Sequence, residues 1–157
     1  MESGFNFNKW IKKTSNRIFI AYPVAIVLLE LLINQGSLQI VYWGLPLIPW
    51  GYYQFRLSGE YRNRIGKGGP GFDIPPERIV DTGIYAWTRN PMYLGQLIYL
   101  IGFTISLWSL PAAVLVGYHL GWYRDRVNED EQRLTQIFGQ DYVNYTHRVK
   151  RWIPWLF

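Results

Sequence analysis

The sequence predicts an all-α fold, an integral membrane helical bundle of about four transmembrane helices, on three observations. Four long apolar runs punctuate a chain of 157 residues that is 49% hydrophobic. All sixteen Lys and Arg fall in Met1–Arg17, in Arg56–Arg89 or beyond Tyr123, outside those runs. No βαβ rhythm with a glycine-rich turn opening a helix is present, which sets aside a doubly wound nucleotide-binding fold. The length suits a single domain over residues 1–157.

In residues 1–17, Phe5, Phe7, Trp10 and Ile11 interleave with Lys9, Lys12 and Lys13, and no small-residue cleavage site follows the first apolar run. This stretch reads as an interfacial anchor and not as a secretory signal. Residues 18–33 contain one charge, Glu30, and residues 38–55 contain none. Both read as spans, the first rather short against the roughly 17 to 25 residues a bilayer requires.

Residues 56–91 carry Gly59, Gly66, Gly68, Gly69 and Gly71 with Pro70, Pro75 and Pro76, the composition of an irregular loop, here cytosolic. The GKGGPG run at 66–71 lacks the spacing and trailing Ser or Thr of a Walker motif. Residues 92–109 and 112–123, the latter interrupted only by His119, read as a tight hairpin of spans. The second of these must run on into polar sequence to reach spanning length, and is predicted to end near Phe138 with Gly139 as its stop. Gly95, Gly102, Ser106 and Ser109 share one face, and Ala113, Gly117 and Gly121 repeat every four residues, so a close-packed seam is expected between the two helices.

Residues 124–157 complete the cytosolic helix and a tail. There Tyr142, Tyr145, Val149 and Trp152 fall at helical spacing among Arg148, Lys150 and Arg151. That pattern predicts a C-terminal interfacial amphipathic helix on the membrane plane, free also to roof a site. Trp152, Trp155 and Phe157 serve as interface anchors or as a stacking surface for an adenine. Because the turns at 34–37 and 109–111 lack Lys and Arg, the positive-inside rule puts both termini in the cytoplasm. The net charge of +5 then finds its partner in anionic lipid, with no nucleic acid expected. The chain has no Cys and only two His, which excludes disulfides and a catalytic thiol and leaves no set of ligands for a metal.

Two places hold residues able to do chemistry. Arg89, Asn90, Pro91 and Tyr93 stand where the loop enters the third span, and free backbone amides there suit an anionic ligand end. An N-cap with a snorkelling arginine is the plainer use of the same residues. On the last long helix, Arg126 and Asp130 are four apart, as are Glu129 and Arg133, the spacing of a solvated ion-pair surface. The same positions let Arg126 clamp a carboxylate and let Asp130 and Glu131 accept both hydroxyls of a ribose. Glu30, within the first span, is either a functional group or a near-end carboxyl pointing to the lumenal interface, and His119 either a functional group or a hydrogen-bond partner of a neighbouring helix.

GIYAWTRNPMYLG at 83–95 and RDRVNEDEQRLTQIFGQDYVNY at 124–145 resemble the isoprenylcysteine carboxyl methyltransferases, whose wider group includes membrane phospholipid N-methyltransferases. The resemblance runs from Glu77 to Pro154. It implies an integral membrane enzyme that holds S-adenosylmethionine in a cytosolic pocket and methylates a lipophilic or lipidated substrate from the bilayer, by carboxyl O-methylation or lipid amine N-methylation. Carried over position by position, it implies cofactor contacts at Glu77, Arg78, Ile79, Val80, Tyr85, Asn90, Pro91, Met92 and Tyr93. It also makes Asp130 an acidic cofactor ligand and Arg126 the arginine facing the acceptor. Arg89 joins Arg126 as a catalytic candidate, and Glu131 joins the cofactor set. Asn90 and Glu77 stand where the eukaryotic carboxyl methyltransferases have histidines, and Asp130 where they have glutamate. A carboxylate acceptor needs aiming only, whereas an ammonium needs a base, for which Asp130, Glu131 and Glu129 are candidates. The competing expectations are an NADPH-dependent membrane lipid reductase of similar architecture and a non-catalytic membrane subunit.

Overall fold

A computed structural model describes residues 7–67 and 74–152, and among these residues every regular element is a helix. A short α1 (Phe7–Lys12) leads into α2, a continuous helical run over Thr14–Ile33. Then come α3 (Leu47–Gly66), α4 (Pro91–Leu107), α5 (Leu110–Phe138) and α6 (Gln140–Arg148). The anchor expected at residues 1–17 lies partly outside the described residues, as do most of the GKGGPG run and the aromatics Trp155 and Phe157.

α2 starts ahead of the expected residue 18 and carries Pro23 inside it. Proline lacks an N–H, so the carbonyl of Phe19 loses its helical donor. A π-helical turn at Arg17–Ala21 precedes the proline, and the Tyr99 hydroxyl donates to the Phe19 carbonyl at 3.2 Å. One unsatisfied carbonyl is thereby used to tie α2 to α4.

The second apolar run is not one helix. Residues before Leu47 are non-helical apart from a 3₁₀ turn at Tyr42–Gly44. Pro46 and Pro49 explain the late start, since a helix tolerates proline only in its first turn. At its other end α3 continues through Arg56 to Gly66, correcting the expected loop at 56–91 to one beginning at Lys67, which takes a left-handed φ of 52°. Gly59 and Gly66 were expected to break this stretch. Instead Gly66 gives room for a neighbour, because a Cβ there would fall within 2.9 Å of Pro76 and Val80.

The close-packed seam also lies elsewhere than expected. A Cβ on Gly51 would sit 2.4 Å from the Tyr99 nitrogen, and one on Gly95 would sit 2.7 Å from the Phe55 nitrogen. The glycines of α4 therefore receive α3, while Gly117 and Gly121 on α5 meet nothing within 4 Å. α4 and α5 pack through large side chains, with Tyr93, Leu97, Leu100, Tyr123 and Val127 in one buried cluster with Ile18. At the hairpin turn Ser109 caps α5 by accepting from the Ala112 amide and donates its hydroxyl to Glu30 at 2.6 Å. Glu30 thus joins the end of α2 to the α4–α5 turn. His119 is buried, its Nδ1 bonded to the Leu115 carbonyl at 2.9 Å.

α5 runs to Phe138 and stops at Gly139, whose φ is 55°, as its sequence predicts. The apolar face of α6, Tyr142 and Tyr145 with Val149, is buried against Ile79, Leu134 and Phe138. Protein, not the membrane plane, covers that face. Outside the bundle, Val24, Leu28, Leu32, Trp43, Trp50, Leu57, Val114 and Leu120 are all exposed, an apolar belt of the kind that marks a membrane or partner surface. Four spans are expected from the sequence. Among the described helices, Thr14–Ile33 alone is long and apolar enough to cross a bilayer by itself, and Pro91–Leu107 is apolar but shorter.

Candidate functional site

The segment from Ile74 to Asn90 is pinned beneath the bundle by its own sequence. The Glu77 amide donates to the Gly66 carbonyl at 2.8 Å, and Tyr61 and Thr82 share a hydrogen bond of 2.8 Å. Gly83 is required there, because its φ is 58° and a Cβ would strike the Tyr61 ring at 2.7 Å. From α6 the Tyr145 hydroxyl donates to the Tyr85 carbonyl at 2.8 Å.

These contacts frame a cavity of about 720 Å³, counted to its open mouth, between this segment, the start of α4, the second half of α5, and α6. Its walls are aromatic and apolar where Tyr85, Tyr142, Tyr145, Phe138, Leu134, Ile79 and Val80 stand. Its polar points are Arg62 from α3, Asn90, Asp130, Glu131, Arg89 and Arg133. Met92 and Tyr93 bring the first turn of α4 to the cavity, and the Asn90 side chain makes no capping bond to that turn.

Asp130 is held on both oxygens. The Tyr93 hydroxyl donates to Oδ2 at 2.8 Å, and Arg133 donates to Oδ1 at 2.8 Å. Burial raises its carboxyl above the ordinary aspartate range, against the Tyr93 bond and the positive charges of Arg126, Arg133 and Arg62. Burial likewise raises Tyr85, Tyr142 and Tyr145, which stay neutral hydroxyls at physiological pH.

Arg89 lines the cavity and is held there by partners from α6 and the residues after it. Its Nη1 donates to the carbonyls of Thr146 at 2.7 Å and Val149 at 2.6 Å, and its Nε lies 3.0 Å from Glu131. Arg151 donates to both Glu131 oxygens. The Arg89 amide donates to the Lys150 carbonyl, while Asn90 Nδ2 and the Thr88 hydroxyl both donate to the Arg151 carbonyl. The result is a strap in which the residues after α6 are stitched across the entrance to α4.

Of the residues singled out from the sequence, Ile79, Val80, Tyr85, Arg89, Asn90, Pro91, Met92, Tyr93, Asp130 and Glu131 line this one cavity. Glu77 and Arg78 are exposed and do not line it. Arg126 stands just outside, with its Nε 3.9 Å from Asp130 and its Nη1 3.6 Å from Glu129. Arg62, Pro76, Arg133, Leu134, Phe138, Tyr142 and Tyr145 complete the lining and were not picked out as site residues. Helical spacing contains a signal for some of them, since Asp130, Leu134 and Phe138 recur every four residues and share a face of α5. Arg62 has no local signal, because it arrives through the packing of α3.

A ligand of the S-adenosyl type needs a slot for a flat base, acceptors for a diol and positive groups for a carboxylate. The tyrosines and Phe138 supply the slot, Asp130 the acceptors, and Arg62, Arg133 and the first-turn amides of α4 the positive groups, so the donor set fits.

Known proteins give the same direction. The sequence profile of the phospholipid methyltransferase family matches residues 41–141. Protein-S-isoprenylcysteine O-methyltransferase of Mus musculus is 33% identical over 79 residues, 50% of this chain and 28% of that protein. Its Saccharomyces cerevisiae counterpart is 31% identical over 80 residues, 50% of this chain and 33% of that protein. The chain thus aligns with about a third or less of these relatives' own length. The solved structure of a eukaryotic intramembrane Ras methyltransferase, isoprenylcysteine carboxyl methyltransferase, superimposes with a TM-score of 0.65 over 98% of this chain and 55% of that one, at 21% identity, a likeness of fold.

Proposed function

This chain belongs to the phospholipid methyltransferase family, and from that premise we propose that it transfers a methyl group from S-adenosylmethionine to a lipophilic substrate held in the membrane. The observation that carries this reading is the single cavity in which Asn90–Tyr93 and Asp130 face one another across Tyr93 and its 2.8 Å bond to the carboxylate. Bound there, S-adenosylmethionine supplies an electrophilic methyl group. Asp130 accepts the diol hydroxyls, with Tyr93 and Arg133 fixing its rotamer. Tyr142, Tyr145 and Phe138 flank the base, and Arg62 with the first-turn amides of α4 answers the carboxylate. Arg126, next to Asp130 and outside the cavity lining, aims the acceptor. A carboxylate acceptor needs nothing further, and an amine acceptor gives its proton to Asp130. Arg89 and Glu131 act through the strap, which keeps water from the cavity. The apolar belt sits in lipid, with the cavity and both termini on the cytosolic side.

The division of roles between Asp130 and Arg126 is the test. Asp130→Asn is expected to weaken S-adenosylhomocysteine binding by about tenfold or more, the worth of ~1.4 kcal/mol. Arg126→Ala is expected to abolish transfer of a tritiated methyl group to membrane lipids and lipidated proteins while changing that affinity less than about threefold. Equal losses of binding and transfer in both variants would contradict the assignment.

A further inference from the structure

Four tyrosines line the cavity, and the protein itself already uses the hydroxyls of three. Tyr93 donates to Asp130 at 2.8 Å, Tyr145 to the Tyr85 carbonyl at 2.8 Å, and Tyr85 to the Ser58 carbonyl at 3.4 Å. Tyr142 differs. The residue is only 5% exposed, yet among the described residues its hydroxyl has no hydrogen-bond partner. Its oxygen is not sealed within the packing either, so the hydroxyl opens on the cavity that the residue lines. Water can satisfy it while the cavity is empty. A ligand that fills the cavity displaces that water, and must then offer the hydroxyl a partner or leave it buried without one, which is costly.

The surroundings of Tyr142 say which part of a ligand it meets. It packs with Tyr145 and Val149 against Ile79, Leu134 and Phe138, side chains with nothing to offer a polar edge. On α5 the lining runs from Asp130 to Leu134 and on to Phe138, one helical turn at a time, or about 6 Å per step along the axis. A nucleoside whose diol is held at Asp130 therefore carries its base toward Leu134 and Phe138, where Tyr142 stands. The rings of Tyr142 and Tyr145 lie 5.7 Å apart and are tilted by 59°, so both cannot lie parallel to one flat base. One of them meets it at an edge. The Tyr145 hydroxyl is committed to Tyr85, which leaves Tyr142 for that edge. Burial keeps its phenol protonated and so able to donate, and a purine presents ring nitrogens as acceptors in its plane.

We propose that Tyr142 determines cofactor specificity by reading the edge of the adenine, its hydroxyl donating to a ring nitrogen. The assignment rests on the methyl-transfer reading and deepens it, because stacking alone accepts any flat ring, whereas a buried hydroxyl rejects a ring that leaves it unpaired.

The test is a binding titration of the full chain in maltoside micelles with S-adenosylhomocysteine and with its deaza analogues, each having one purine ring nitrogen replaced by C–H. Tyr142→Phe keeps the ring and is expected to weaken S-adenosylhomocysteine binding by about fivefold, the worth of ~1 kcal/mol. In the parent chain one deaza analogue is expected to bind weaker by a similar factor, and in Tyr142→Phe that analogue and S-adenosylhomocysteine are expected to bind within about twofold of each other. The melting temperature without ligand is expected to stay near that of the parent in Tyr142→Phe, which breaks no bond within the protein, and to fall in Tyr145→Phe, which loses the bond to the Tyr85 carbonyl. An unchanged S-adenosylhomocysteine affinity in Tyr142→Phe, or a loss there that no deaza analogue reproduces in the parent chain, would overturn the proposal. Either result, with saturable binding of S-adenosylhomocysteine by the parent, removes the role of Tyr142 alone. Absence of binding by the parent removes the methyl-transfer reading and this assignment with it.

Discussion

At the scale of single residues, Asp130 is the group whose chemistry is easiest to perturb in a stated direction. Its carboxyl is raised above the ordinary aspartate value, about 3.9, by burial, and is held down in part by the Tyr93 hydrogen bond. A ligand that donates to the carboxylate binds the ionised form, so S-adenosylhomocysteine affinity falls as pH drops through the raised pKa. Titrations taken downward from neutral pH are expected to show that fall in the parent chain and not in Asp130→Asn. Removing the Tyr93 hydroxyl takes away a contribution that lowers the pKa, so Tyr93→Phe is expected to move the fall to higher pH. A shift to lower pH would contradict the arrangement. Arg89 is a different case. Replacing it with Ala leaves the Glu131 carboxylate, 14% exposed, with Arg151 alone and two carbonyls without their donor. That change is expected to cost on the order of 3–5 kcal/mol, with faster amide exchange over residues 142–149, and Arg151→Ala, at a 34% exposed side chain, is expected to cost less. The sequence placed Arg89 at a helix entrance and invited a ligand-facing role. Its partners lie 42 to 60 residues away, and no local spacing announces them.

At the scale of elements, the sequence is informative where one residue decides a boundary and silent where packing decides it. Gly139 ends α5 because a left-handed φ is inexpensive for glycine, and that boundary was legible. Gly59 and Gly66 look alike as text, yet Gly59 stays inside α3, where packing on α4 outweighs the ~1 kcal/mol cost of an interior glycine, and Gly66 is the last residue of that helix. The small-residue seam was legible as a property of α4 but not its partner, because Gly95 and Gly102 specify only that some backbone approaches closely. Mutation separates the two sets. Gly51→Ala places a methyl 2.4 Å from the Tyr99 backbone and is expected to lower the melting temperature, at a cost of about 1–3 kcal/mol or more. Gly117→Ala meets open space and is expected to be neutral or to stabilise by up to ~1 kcal/mol. A Gly117→Ala variant as damaged as Gly51→Ala would place the seam between α4 and α5 after all.

At the scale of the whole molecule, the all-helical class followed from apolar runs separated by basic segments, a property of composition that survives errors in every boundary. The cavity did not follow in that way. It needs α3 to bring Arg62, α6 to bring Tyr142 and Tyr145, and the α4–α5 hairpin to set Tyr93 against Asp130, three long-range associations that periodicity does not encode. What the two sequence blocks at 83–95 and 124–145 did carry was that both belong to one site, and the fold brings them together. The most direct measurement of the central claim is photolabelling of the membrane-embedded chain with a photoreactive adenosyl analogue of S-adenosylmethionine, followed by peptide mapping with S-adenosylhomocysteine and NADPH as competitors. The account predicts label in the peptides containing Tyr85–Tyr93 and Asp130–Tyr145, removed by S-adenosylhomocysteine and unaffected by NADPH. Label confined to other peptides, or displaced by NADPH alone, would contradict it.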